Sequence, residues 1–177
     1  MRKTLYAFAF ASLSSFMFGQ VAIGKQSVTG TTTILDFDNA AGNTKGIILP
    51  AVENTNTALA ATVTDNNGTF LFDKSDKKVK MYENSQWVTL SDTGAVTTAL
   101  AANSNTSSEN GKGVIIGANT TPAKGVLVLE GATKAMILPQ VANPHTSVKS
   151  PYPGMMCYDT VSKTIAVFDG VNWNYWK

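Results

Sequence analysis

The chain is poor in the side chains that usually carry chemistry, with one cysteine, one histidine and one arginine in 177 residues. A single cysteine, Cys157, excludes an intramolecular disulfide, and with His145 it leaves almost no ligands for a metal site. No nucleophile motif such as G-x-S-x-G accompanies His145, and no glycine-rich phosphate loop is present. We therefore predict that the protein is not an enzyme and that it has no cofactor, no metal site and no catalytic residue.

Basic residues are also scarce. Arg2 and Lys3 stand before an apolar stretch, and removing them from the 14 basic residues leaves 12, equal to the 12 acidic residues. A neutral chain lacks the surplus of Lys and Arg that nucleic-acid binding requires. We therefore expect no nucleic-acid partner.

The N-terminus resembles a secretory signal peptide. A short basic start is followed by residues 4–18, which are apolar or small and uncharged, and Gly19 supplies a small residue at the cut. This stretch is shorter than the roughly 20 residues of a membrane-spanning helix, although a retained anchor is the alternative interpretation. We predict a signal peptide over residues 1–19 and no membrane span in the mature chain. The protein would then be exported to the periplasm, the outer surface or the medium.

Three sequence blocks occur twice in the same order, which indicates an internal duplication. They are VAIG at 21–24 with VIIG at 114–117, TKGIILPAV at 44–52 with TKAMILPQV at 133–141, and residues 68–90 with residues 154–176. The second block has six of nine positions identical, and the third aligns without a gap. We predict two β repeats, residues 20–90 (repeat 1) and 114–177 (repeat 2), joined by a polar linker over residues 91–113.

The third block predicts strands. Apolar or alternating segments are separated by polar turns such as Asp169-Gly170, a strong turn former because Gly accepts positive φ. The expected fold class is all-β, with two tandem copies of a small β-meander unit, each preceded by an extended strand. Pro50 and Pro139 lack an N–H, so that strand should lie at an edge or end there. An isolated meander is marginally stable, so its apolar face should pack on the other copy or on other chains.

The C-terminal aromatic residues are the candidate ligand-binding residues. At strand period, Trp173 and Tyr175 share one face and Trp176 takes the other. They could stack on sugar rings, or one of them could be buried only in an oligomer. For Trp173, and for Trp87 at the same place in repeat 1, closing the small core of the meander is the alternative interpretation. Asp36 and Asp38 match the start of a calcium loop, but the later Gly and Glu of that loop are missing.

The duplicated pattern resembles a module of exported surface proteins of Bacteroidota and of phage tail fibres. The matching strings are VIIGANTTPAKGVLVLE, TKGIILP, TKAMILP, GTFLFDKSDKKVKMYENSQW and GMMCYDTVSKTIAVFDGVNW. The sequence Asp159-Thr160-Val161 also resembles the O-glycosylation site of exported proteins in that phylum, which makes Thr160 a candidate. The resemblance implies a non-catalytic structural or adhesive component at the cell surface, fibre-like and self-associating as a homotrimer or with other surface proteins. A carbohydrate-binding module that uses the C-terminal aromatic residues is the alternative function.

Overall fold

The computed structural model of the protein describes residues 19–58, 66–94, 113–123 and 125–177. Within these residues the regular secondary structure consists almost wholly of short β-strands, which confirms the predicted all-β fold. Repeat 1 contains β1 (Val21–Ile23), β2 (Thr33–Phe37), β3 (Ile47–Ile48), β4 (Ala51–Val52), β5 (Thr69–Asp73), β6 (Lys78–Glu83) and β7 (Gln86–Thr89). Repeat 2 contains β8 (Val114–Ile116), β9 (Leu127–Leu129), β10 (Ala135–Met136), β11 (Gln140–Val141), β12 (Met155–Asp159), β13 (Thr164–Phe168) and β14 (Trp173–Trp176). The described residues also include a 3-10 turn at Thr55–Thr57 and a single-turn helix, α1 (Pro144–Ser147).

The chain contains two antiparallel meanders, β5–β6–β7 (meander 1) and β12–β13–β14 (meander 2). Each first turn ends in a lysine with left-handed backbone, Lys77 with φ of 63° and Lys163 with φ of 60°. The second turn of meander 1 places Asn84 and Ser85 at φ of 49° and 64°. Two successive residues of positive φ match the right-handed twist of the flanking strands, as in a type I′ hairpin.

Parallel pairs precede both meanders, and the sequence did not predict them. In repeat 1, β1 pairs with β2 and β4 with β5; in repeat 2, β8 pairs with β9 and β11 with β12. A parallel pair cannot be joined by a two-residue hairpin turn and needs a longer connection. The crossover that leads into meander 2, residues 142–154, contains α1. The two repeats therefore follow the same order of pairings.

The extended run expected over residues 46–52 is divided into β3 and β4, which belong to different sheets. β3 pairs antiparallel with β12 of repeat 2, whereas β4 pairs parallel with β5. The division falls at Pro50, and Pro139 divides β10 from β11 in the same way. Because proline has no N–H, the ladder cannot continue through it. Its carbonyl oxygen still accepts a hydrogen bond, from the Phe72 N–H at 2.9 Å.

The main core lies between the two meanders. Its buried members, drawn from both repeats, are Leu49, Phe72, Val79, Leu90, Met156 and Val167. Full burial of each such side chain contributes about 1.5–3 kcal/mol relative to exposure. A smaller cluster of Val141, Cys157 and Ala166 lies on the opposite face of meander 2. Meander 2 is therefore covered on both faces, by repeat 1 on one side and by the residues around α1 on the other.

The start of the predicted linker is packed on repeat 1. The Ser91 hydroxyl accepts a hydrogen bond from the Val79 N–H at 2.9 Å, and the Gly94 N–H donates to the Lys77 carbonyl at 2.8 Å. A Cβ at Gly94 would fall 1.7 Å from the Asp169 carbonyl oxygen, so only glycine fits there. The remainder of the linker up to residue 112, and residues 1–18 of the predicted signal peptide, lie outside the described residues.

Candidate functional site

The three C-terminal aromatic residues lie on β14, the last strand of meander 2. In its pairing with β13, Trp173 is opposite Phe168, Tyr175 is opposite Ala166 and Trp176 is opposite Ile165. Trp173 packs on the small cluster around Cys157, whereas Trp176 reaches Leu90 of the main core. The three rings therefore do not form one binding surface.

Trp173 closes one end of the meander. Its ring centroid lies 5.4 Å from that of Phe168 on the neighbouring strand. Trp87 occupies the same place in meander 1, with its ring 5.1 Å from that of Tyr82. Aromatic pairs at such distances stabilise beyond their buried area. The same contact in both meanders favours the interpretation of Trp173 as a core residue.

Trp176 lies on the opposite face and joins the two repeats. Its indole Nε1–H donates a hydrogen bond to the Leu90 carbonyl at 2.6 Å. Beside it, the Asp92 N–H donates to the Asn174 side-chain carbonyl at 3.0 Å. Although 45% of Trp176 remains exposed, its polar atom is used within the chain. The hydrogen bond from its indole therefore links the two repeats, while part of its ring stays exposed.

Tyr175 alone borders an open concavity. The phenol lies 3.1 Å from Nδ1 of His145 in α1, with the two rings nearly perpendicular. The concavity is lined by Asn143, His145, Asp159, Val161, Ser162 and Tyr175. Burial raises the pKa of Tyr175, and the nearby Asp159 carboxylate raises it further, so the phenol stays protonated. The contact with His145 was not predicted, because residues 145 and 175 are brought together only by the folded meander.

Asp159 organises the turn that forms the floor of this concavity. Its Oδ1 accepts hydrogen bonds from the N–H groups of Asn143 and Val161 at 3.0 and 2.9 Å, and its Oδ2 accepts one from Ser162 at 2.7 Å. Burial acts to raise the pKa of Asp159, but these hydrogen bonds outweigh it and hold the pKa below its usual value. The carboxylate is therefore a structural anion. Thr160, the candidate for glycosylation, follows it in the turn and is half-buried.

Asp73 has the same position in meander 1 and uses different partners. Its carboxylate accepts hydrogen bonds from the Ser75 N–H at 2.9 Å and from the Lys80 ammonium at 2.8 Å. Burial raises the pKa of Asp73, and the bonds from Lys80 and Ser75 overcome this and lower it. Ala166 stands where Lys80 stands in repeat 1. The buried carboxylate is thus common to both turns, whereas the ion pair belongs to repeat 1 alone.

The remaining candidate groups are also engaged in structural contacts. The Asp36 carboxylate pairs with the Lys25 ammonium at 2.8 Å and accepts the Thr29 N–H at 2.7 Å. Across the described ranges, no cluster of three or more His, Cys, Asp or Glu side chains could hold a metal ion. Burial raises the pKa of the Cys157 thiol to about 12, so it is not a thiolate at neutral pH.

The feature that sequence reasoning missed is a set of exposed large apolar side chains concentrated in repeat 2. Of the ten large apolar side chains that are exposed in the described residues, eight lie in repeat 2. They are Val114, Val126, Leu127, Val161, Ile165, Val171, Tyr175 and Trp176. Their concentration in one repeat makes repeat 2 the candidate interaction region of the described residues. The strand pattern contains these residues but does not show which of them remain uncovered after folding.

Comparison with known proteins places the similarity in this same part of the chain. Residues 115–177 match the model of a family described as the phage tail like trimerisation region. This supports the similarity to phage tail fibre modules. No curated protein and no solved structure matches the chain. Within the described residues, no helix has both the length and the apolar character needed to cross a membrane.

Proposed function

We propose that the protein is an exported, non-catalytic component of a fibre-like surface assembly and that it associates as a homotrimer. One coincidence carries the proposal: the segment that matches a trimerisation region also holds most of the exposed large apolar side chains of the described residues. A monomer in water would leave these side chains solvated, whereas association removes them from water.

Export is supported by the N-terminal sequence. The basic start, the apolar stretch over residues 4–18 and the small residue Gly19 match the layout of a signal peptide. The resemblance to Bacteroidota surface proteins agrees with an extracytoplasmic site, whether periplasm, outer surface or medium. In such a setting Thr160, which lies in a surface turn, is the proposed O-glycosylation site. Mass spectrometry of the exported protein tests both modifications, with cleavage before Gln20 and a glycan on Thr160 expected.

Light scattering after size-exclusion chromatography tests the assembly. The exported protein should elute as a single species with three times the mass of one chain. A monomer over the whole range from micromolar to hundreds of micromolar would overturn the proposed trimer. A dimer would retain self-association and contradict the proposed homotrimer.

Carbohydrate binding is a second candidate, and Tyr175 is the observation that favours it. Its ring is 40% exposed beside the polar groups of Asn143, His145 and Asp159. A glycan array should then show binding that Tyr175→Ala removes. Val171→Ala, in an exposed turn on the same meander, serves as the control and should bind as the unmodified protein does. Absence of any glycan signal, or equal binding by both variants, would eliminate this function for the concavity.

A further inference from the structure

Two strand pairings join repeat 1 to repeat 2 within the chain. β10 adds in parallel to β2, with the Ala135 N–H donating to the Thr32 carbonyl at 2.7 Å and the Ile137 N–H to the Leu35 carbonyl at 2.9 Å. β3 adds antiparallel to β12, with the Leu49 N–H donating to the Gly154 carbonyl at 3.0 Å. In each pairing, an edge of one repeat is completed by the other.

The matching surface of repeat 2 is uncovered. Leu35 lies beside Val21 in the β1–β2 pair, and Leu127 lies beside Val114 in the β8–β9 pair, so the two leucines correspond. Leu35 is 0% exposed and its neighbour Ile34 is 2% exposed; β10 of repeat 2 pairs beside Leu35, and the Ile34 side chain lies close to Gly117 and Gly131 of repeat 2. Leu127 is 47% exposed and its neighbour Val126 is 56% exposed. In the described residues, β9 has no strand at the edge where β2 receives β10.

The complementary edge of repeat 1 is uncovered in the same way. Met155 and Met156 of β12, which receive β3, are 6% and 3% exposed. Their counterparts in β5, Thr69 and Phe70, are only half-buried. β5 pairs with β4 only at Phe72 and Asp73, so no described strand pairs with β5 where β12 receives β3. Among the described strands, each repeat thus has one unpaired edge of the kind that a strand of the other repeat fills within the chain.

The two pairings use opposite edges of one strand and are therefore compatible. In repeat 2, the N–H groups of Ala135 and Ile137 point to β2. In repeat 1, the Leu49 N–H points to β12. Its counterpart in repeat 2 is Leu138, the residue that follows Ile137. Successive N–H groups of an extended strand point to opposite sides. The Leu138 N–H therefore points away from β2, toward the edge at which a further strand would add.

We propose that repeat 2 of one chain receives repeat 1 of a second copy through the same two pairings that join the repeats within the chain. In the antiparallel pairing, Ile137 lies opposite Thr69 of the second copy and Met136 lies opposite Phe70 of the second copy. In the parallel pairing, Leu127 lies beside Ile47 of the second copy. This covers Val126 and Leu127 as Ile34 and Leu35 are covered now.

Such a contact is head to tail, since it joins two different surfaces. Head-to-tail contacts close into a ring when the rotation allows it and otherwise extend into a filament. Closure after three chains rests on the proposed trimer, whereas the strand register does not. The register therefore needs its own test.

Disulfide trapping tests the register. Ile48 and Met155 are opposite each other, and the hydrogen bond from Leu49 to Gly154 falls one residue beyond them, so they form a non-hydrogen-bonded pair with close side chains. The double variant Ile48→Cys/Met155→Cys should therefore form a bond within one chain, which validates the geometry. The double variant Thr69→Cys/Ile137→Cys should form bonds between chains, with bands of two and three chains on a non-reducing gel. Each of its single variants should give only the single-chain band.

The competing arrangement pairs repeat 1 with repeat 1 of the next chain. It would be shown by interchain bonds in Ile48→Cys/Thr69→Cys together with none in Thr69→Cys/Ile137→Cys, and this result overturns the inference. A trimer by light scattering without the Thr69–Ile137 bond overturns the register and leaves the proposed function. A monomer overturns both. A ladder longer than three chains supports the register and contradicts closure at three.

A charge substitution provides a second measurement that does not depend on cysteine. Leu127→Lys should raise the dissociation constant of the assembly at least tenfold in sedimentation, with the circular dichroism of the chain unchanged. Val171→Lys is the matched control, because Val171 is also exposed, at 55%, but lies in a turn away from the β9 edge. Equal dissociation constants for the two variants would contradict the inference.

Discussion

Replacing Leu35 and Leu127 by alanine, one at a time, separates folding from assembly at corresponding positions of the two repeats. Leu35 is fully buried inside the chain, so Leu35→Ala should lower the free energy of unfolding by about 2–5 kcal/mol through lost burial and the cavity left behind. Leu127 is 47% exposed. Because it has about half the burial and no enclosed cavity, Leu127→Ala should lower the same quantity by about 1 kcal/mol or less.

The order of effects should reverse for association. Full burial of a leucine side chain contributes about 1.5–3 kcal/mol, and about half of Leu127 is available for a second copy to cover. Leu127→Ala should therefore weaken each interface by about 1 kcal/mol, roughly fivefold in Kd. Leu35 contacts only its own chain in the proposed arrangement, so its substitution should change the Kd of natively folded chains by less.

Urea unfolding at a protein concentration below the Kd measures the first effect, and sedimentation equilibrium without urea measures the second. The comparison needs equal dependence of unfolding free energy on urea in both variants, since a changed slope indicates a changed denatured or native state. Equal destabilisation of the single chain by both variants would show that Leu127 is a core residue of one chain. An unchanged Kd for Leu127→Ala would show that β9 is not at the interface. Either result refutes the reasoning.

Three further outcomes are expected. The folded-state pKa of Asp159 is lowered, so the stability that this carboxylate contributes is present above its unfolded pKa of about 3.8 and is lost as pH falls through the folded value. Asp159→Asn should therefore lower the free energy of unfolding by about 1–3 kcal/mol at pH 7. In urea titrations the variant should also show a smaller fall in stability below pH 5 than the unmodified protein. Cys157 should remain unlabelled by iodoacetamide at pH 8 in the native protein and react fully in denaturant, and rapid native labelling would contradict its burial. Ser85→Gly should raise the free energy of unfolding by about 1 kcal/mol, because Ser85 has φ of 64° in a two-residue turn, where glycine carries no steric cost. Ser75 has no positive φ, so the control substitution Ser75→Gly should not raise it.

The local structure of this protein could be predicted from its sequence. The all-β fold follows from short apolar segments separated by polar turns, and the strand breaks at Pro50 and Pro139 follow from their missing N–H. These are properties of a residue and its immediate neighbours. The same holds for the pairing of Trp173 with Phe168, because the turn between their strands is short and sets the register.

The parallel pairs and the pairings between repeats could not be predicted in this way. Strand pattern shows which face is apolar, but it does not show the direction of a strand or which distant edge it joins. The contact of His145 with Tyr175 depends on such a long-range arrangement, and so does the hydrogen bond from the Trp176 indole N–H to the Leu90 carbonyl. Folding therefore divides the candidate aromatic residues: Trp173 packs in the meander, Trp176 is hydrogen-bonded to repeat 1, and Tyr175 borders the concavity.

Leu35 and Leu127 show the limit most clearly. Their sequence environments correspond, and local chemistry predicts the same strand position for both. Only the tertiary structure decides that Leu35 is covered and Leu127 is not, because β10 of repeat 2 pairs beside Leu35, whereas no described strand pairs at the corresponding edge of β9. Sequence thus determined what each repeat is, whereas the packing of one repeat on the other determined which apolar surface remains for a partner.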